Sequence, residues 1–164
     1  MVMLALAGLC MLAAGVIVLV GRSSGPDMDQ RWYYDLETGS LFQASVDAIP
    51  PVTVPSGKMG VRAYRFGCGG CKDPSRQTTV YLASYSPQDK QKIESLRQSA
   101  MDSPEKASVL MVQADTYAAQ HKLIAAPSDL KWLADPEARL SQELLKQFAE
   151  SCSGADVIEC HPRR

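Results

Sequence analysis

The sequence predicts an α+β domain carried behind an apolar N-terminal helix. Three observations predict it. Val2–Val20 holds no charged residue. The stretch from Arg31 to Ser84 alternates and turns like β-structure. From Ser86 onward a capping side chain stands three times before a proline, the signature of a helix start. The division expected is 1–20 as a transmembrane anchor, 21–30 as a linker and 31–164 as a small cysteine-stapled domain.

Nineteen helical residues span about 28 Å, close to the hydrocarbon thickness of a bilayer. A helix lying on a soluble core would show a polar face, and Val2–Val20 shows none. A retained single-pass anchor is the reading adopted. A cleaved signal peptide would want a basic N-terminal region and an Ala-x-Ala site. A lipoprotein signal would want a small residue before Cys10, where Leu9 stands. Cys10 is therefore read as an apolar residue of the helix. Arg22 and Arg31 follow the helix and no basic residue precedes it, so a strict positive-inside count places the domain in the cytoplasm. Short N-terminal tails of small anchored proteins usually stay inside, and on that ground the domain is expected outside the cytoplasm.

Gly21–Gln30 is small, polar and contains Pro26, as a linker does. Asp27 and Asp29 are read there as solvated charges rather than a metal pair. In Arg31–Phe42 two aromatic runs flank Glu37-Thr38-Gly39, a hairpin with Gly39 supplying positive φ. Trp32, Tyr33, Tyr34, Leu41 and Phe42 give that sheet its bulk. Ile49-Pro50-Pro51 interrupts pairing. Val52–Pro55 reads as extended, and Val61–Phe66 alternates apolar and basic like a half-exposed strand. Thr78–Ser84 reads as a further strand.

Ser86-Pro87, Ser103-Pro104 and Asp135-Pro136 then open amphipathic helices over about 87–100, 104–120 and 136–150. Their stripes are Ile93, Leu96 and Ala100; Ala107, Leu110, Met111, Ala114, Tyr117 and Ala118; and Leu140, Leu144, Leu145 and Phe148. Each stripe is expected to cover the sheet or another helix. Leu123–Ala125 and Leu130–Trp132 read as short extended pieces.

Composition narrows the function. Lys and Arg number 17 against 18 Asp and Glu, a net charge of −1, which gives nucleic acid no basic surface. The chain contains no nucleophile elbow, His-Glu-x-x-His or phosphate loop. His121 is expected on the surface at a helix end, and His161 near the C-terminus is at most an extra ligand.

The sharp chemistry lies in Cys68, Cys71, Cys152 and Cys160. Cys68-Gly-Gly-Cys71 has the tight spacing of a zinc knuckle, and Cys152 and Cys160 with His161 could complete it. The same four allow disulfides in three connectivities, and a bridge across about 80 residues contributes about 4–5 kcal/mol. A reducing compartment favours zinc and an oxidising one favours disulfides. A redox pair at Cys68 and Cys71 would want a helix N-terminus after it, but Lys72-Asp73-Pro74 is turn-like. The cofactor is therefore none, or one structural zinc. The functional expectation is a non-catalytic protein-interaction or assembly module at the cell envelope. Its membrane contact is through residues 2–20, and no small-molecule substrate is identified. The alternative is a membrane-tethered thiol-disulfide or metal-dependent redox factor using Cys68 and Cys71.

Tyr33-Tyr34-Asp35-Leu36-Glu37-Thr38-Gly39-Ser40-Leu41-Phe42 carries a further signal. With Ile49-Pro50-Pro51, Gly60–Tyr64, Cys68-x-x-Cys71, Trp132, Cys152 and Cys160 it resembles a family of small membrane-anchored proteins of planctomycete-type bacteria. The resemblance implies an anchored domain and brings no activity with it.

Overall fold

The computed structural model describes residues 27–54 and 57–163. The anchor expected over 1–20, with Cys10, and most of the linker lie outside them. Among the described residues no helix is long and apolar enough to cross a membrane.

The hairpin forms where alternation and Gly39 place it. β1 (Gln30–Asp35) and β2 (Leu41–Ser45) pair antiparallel, with Tyr33 opposite Phe42. Asp35 fixes the turn, its Oδ1 accepting from the N–H of Glu37 at 2.9 Å and of Thr38 at 3.2 Å, while Gly39 takes φ +71°. β3 (Val52–Thr53) follows the Pro50-Pro51 interruption, and β4 (Met59–Cys68) is longer than the 61–66 segment that alternation marks.

β4 is the axis of an antiparallel sheet. β1 pairs with its residues 60–62 and β8 (Val157–Glu159) with its residues 66–68. β3 pairs at Gly60 and Met59, and β5 (Gln77–Ser84) along 62–67. Because β5 overlaps both β1 and β8 in register, those two share one edge of β4, and β3 with β5 take the other. β6 (Leu123–Ala125) and β7 (Leu133–Ala134) extend the sheet beyond β5. The second extended piece thus falls two to three residues later than Leu130–Trp132.

The two faces are covered differently. Val61, Ala63 and Leu82 form a core cluster with Trp32, Tyr34 and Leu36, closed by Leu130 and Trp132 from the loop before β7. The opposite face carries Tyr33, Arg62, Tyr64 and Tyr81. There Tyr64 and Tyr81 stack with centroids 4.5 Å apart, and the Tyr33 hydroxyl donates to the Ala48 carbonyl. Helices cover this second face. α1 (Pro87–Asp102) buries Ile93 and Ala100, and α2 (Ala107–Gln120) buries Ala114. α3 (Arg139–Ser151) brings Phe148 to Phe66. A strand covered on both faces is not half-exposed: Arg65, on β4, is only 9% exposed.

The three helix starts differ from one another. Ser86 caps α1 as expected, its Oγ accepting from the Asp89 N–H at 3.2 Å. Ser103 makes no side-chain cap, and Pro104–Lys106 forms a 3₁₀ turn before α2. α3 begins at Arg139 rather than at Pro136, because Ala138 takes φ +56° and resets the chain. Asp135 still caps it across that kink, accepting from the N–H of Leu140 at 2.8 Å and of Ser141 at 3.1 Å and from the Ser141 hydroxyl at 2.7 Å.

Burial alone pushes the Asp135 carboxyl up, but the Ser141 hydroxyl and the two N–H groups outweigh it and hold the carboxyl below its ordinary value. A group shifted this way stabilises the fold above the ordinary carboxylate range, and the contribution is lost as pH falls through its lower folded value. Asp135→Asn should therefore lower stability by about 1–3 kcal/mol at neutral pH. The difference from the parent protein should close below about pH 4. Urea titrations across pH measure it, and a pH-independent difference would contradict the assignment.

Candidate functional site

The four cysteines meet at the far end of β4. Gly67, Gly69 and Gly70 let the chain leave the strand in a tight loop. A side chain at Gly67 would run into the Gly70 carbonyl oxygen and sit 3.2 Å from the Cys160 sulfur. Gly69 and Gly70 take φ +75° and +144°, conformations that side chains resist. On the other side β8 brings the C-terminal segment alongside, and the Cys160 N–H donates to the Arg65 carbonyl at 2.8 Å.

The sulfurs pair crosswise. Cys68 is bonded to Cys152, at the C-terminal end of α3, and Cys71 to Cys160, just after β8. The Cα atoms are 5.3 Å and 5.4 Å apart, within the usual disulfide range. The glycines thus send the two sulfurs of Cys68-Gly-Gly-Cys71 to separate partners instead of one centre. With every sulfur in an S–S bond, the zinc reading of Cys68, Cys71, Cys152 and Cys160 finds no support. Among the described residues no group of three or more His, Cys, Asp or Glu side chains is arranged to hold a metal ion. For the redox reading, Cys68 and Cys71 are each bonded to a distant cysteine rather than to each other.

The N-terminal side is tied to the same place. The Asp27 N–H donates to the Pro162 carbonyl at 2.7 Å, so the last residues of the expected linker belong to the fold. Cys152 and Cys160 are 6% and 2% exposed, so each bridge has one buried end, while Cys68 and Cys71 at the other ends are half-buried. His161 is beside it, with Nδ1 3.8 Å from a Glu159 carboxylate oxygen.

A second cluster went unread in the sequence. Asp89 on α1 accepts from the Ser86 hydroxyl at 2.6 Å and from the Tyr117 hydroxyl at 2.8 Å, and lies 3.1 Å from His121 Nδ1. The Tyr117 and His121 rings stack with centroids 4.0 Å apart. The Ser86 and Tyr117 hydroxyls hold the Asp89 carboxyl below its ordinary value. The three residue types of a hydrolytic triad are present in the wrong order, because Ser86 is bonded to the carboxylate and also caps α1. Among the described residues no hydroxyl is bonded to the imidazole, and the contacts of the cluster tie α1 to the end of α2.

Comparison with protein-family models, with curated proteins and with solved structures gives no match.

Proposed function

We propose that the chain is a membrane-anchored, non-catalytic docking module that stands on the oxidising side of the membrane and presents its α1–α2 hairpin to another protein. The exposed apolar side chains on that hairpin carry the reading. Met101 is 69% exposed, Val109 58%, Met111 40% and Val112 64%. The stripe expected to pack Met111 into the core instead buries only Ala114, leaving the methionine outward. A groove of about 500 Å³ opens against Asp47, Ala48 and Ile49, with Met101 and Met111 on its wall. Large apolar side chains gathered on one element, and methionines above all, suit an adaptable protein contact.

Two disulfides support the compartment, since such bonds persist outside the reducing cytoplasm. The charge-free Val2–Val20 segment supports the anchor. The likeness to small anchored proteins of planctomycete-type bacteria belongs to the same proposal.

A photo-crosslinking residue at position 112, in the full chain in native membranes, tests the docking. A discrete protein adduct is expected, lost in a Val109→Asp/Met101→Asp variant that still folds. No adduct, or the same adduct from the exposed Glu150 position on α3, would contradict the reading.

A further inference from the structure

Arg65 is a cation in the wrong place for a purely structural one. It is 9% exposed, and burial pushes its pKa below the ordinary value. An unpaired buried charge is expensive, so a guanidinium this deep ordinarily faces a carboxylate. None of the described residues supplies one. Nη2 donates to the Gln77 carbonyl at 3.2 Å, and the guanidinium lies 5.2 Å from the Trp32 ring centroid. Nε is buried without a partner. Among the described residues Nη1 has no partner either, yet it is not sealed off.

A cavity of about 230 Å³ adjoins it, bounded by Trp32, Arg65, Lys72, Gln77, His161 and Arg163 among others. Among the described residues no acidic side chain lines it. Gln77 adds a buried Oε1 without a partner, its amide nitrogen being held by the Cys71 carbonyl at 3.0 Å. Trp32 Nε1 is likewise buried and unpartnered. The indole and Pro74 give the cavity an apolar wall beside its charged floor.

We propose that this cavity binds a small organic carboxylate, its charge meeting Arg65 and the rim cations Lys72 and Arg163, its carbon body lying against Trp32 and Pro74. A bare inorganic anion would use the charge and leave the apolar wall idle. The site is separate from the α1–α2 hairpin and does not rest on the docking proposal. Its floor is held by the disulfide clamp, because Cys71 also lines it.

The test uses the ¹⁵N-labelled full chain in a non-ionic detergent at low ionic strength, titrated with benzoate and, separately, with inorganic phosphate. The chain has two tryptophans, so the Trp32 indole signal reports and that of Trp132 serves as control. A saturable shift of Trp32 alone is expected with benzoate, with a dissociation constant of about a millimolar. Arg163→Ala should weaken it about tenfold and Arg65→Gln about tenfold or more. Arg163 is exposed, so its variant remains informative if Arg65→Gln fails to fold. The proposal is overturned if Trp32 does not shift saturably, or if the folded variants bind benzoate as the parent does. It is equally overturned if phosphate binds as tightly as benzoate.

Discussion

Removing both disulfides should cost about 7 kcal/mol, and removing either one about 3 kcal/mol. The asymmetry follows from how the two crossed loops overlap. Cys68–Cys152 spans 84 residues and Cys71–Cys160 spans 89. Whichever bridge forms first restrains the unfolded chain over that length, worth about 4–5 kcal/mol. With it in place, the second closes only a small ring of about a dozen residues and adds about 3 kcal/mol. A domain's whole stability is about 5–15 kcal/mol, so loss of both bridges leaves the fold marginal or lost. Urea titrations of Cys68→Ala/Cys152→Ala, Cys71→Ala/Cys160→Ala and the fourfold variant measure the three values. A fourfold variant as stable as the parent would remove the clamp from the account.

Leu82→Ala should cost about 3–5 kcal/mol. Leu82 is 0% exposed, lies opposite Ala63 across β4 and β5, and sits at the centre of the Val61, Ala63 and Leu82 cluster. Strands fixed on both sides cannot collapse into the gap, so most of the cavity should persist. Leu133→Ala is the control. Leu133 is 44% exposed at the sheet edge, and its truncation should cost about 0.5 kcal/mol or less. Equal losses at the two positions would mean that the sheet face closed by Trp132 and Leu130 is not the core.

What could be read in the sequence is what local chemistry decides. Gly39 and the flanking alternation specify the first hairpin without reference to the rest of the chain. Ser86-Pro87 specifies the start of α1 for the same reason. Asp135-Pro136 carries the same local signal, but the turn at Ala138 delays the helix while Asp135 reaches over it, and a dipeptide rule has no view of that. Val157–Glu159 is too short for periodicity to mark, and two of its three residues are exposed. It becomes a strand only by lying against β4.

The cysteine spacing admitted zinc or three disulfide patterns, because convergence of sulfurs is a long-range property. It was resolved by β8 and the end of α3, which the spacing does not encode. The helical stripe of α2 was legible as a stripe, but not which of its residues would find a partner, so Met111 was assigned to a core it does not enter. The alternation of Val61–Phe66 places Arg65 on a half-exposed strand, since nothing local indicates that both faces of β4 are covered. The expected membrane anchor lies outside the described residues.

The crosswise clamp is the claim on which compartment and stability both depend, and bond mapping by mass tests it most directly. The full chain is blocked at free thiols and digested without reduction. Trypsin leaves Cys68 and Cys71 together on Phe66–Lys72, and Cys152 and Cys160 together on Gln147–Arg163. Two bridges should join these peptides into one species four hydrogens lighter than their sum. Cleavage before Asp156, with fragmentation between Gly69 and Gly70, should then connect Cys68 to Cys152 and Cys71 to Cys160. A Phe66–Lys72 peptide closed on itself by a Cys68–Cys71 bond, or four blocked thiols, would contradict the account.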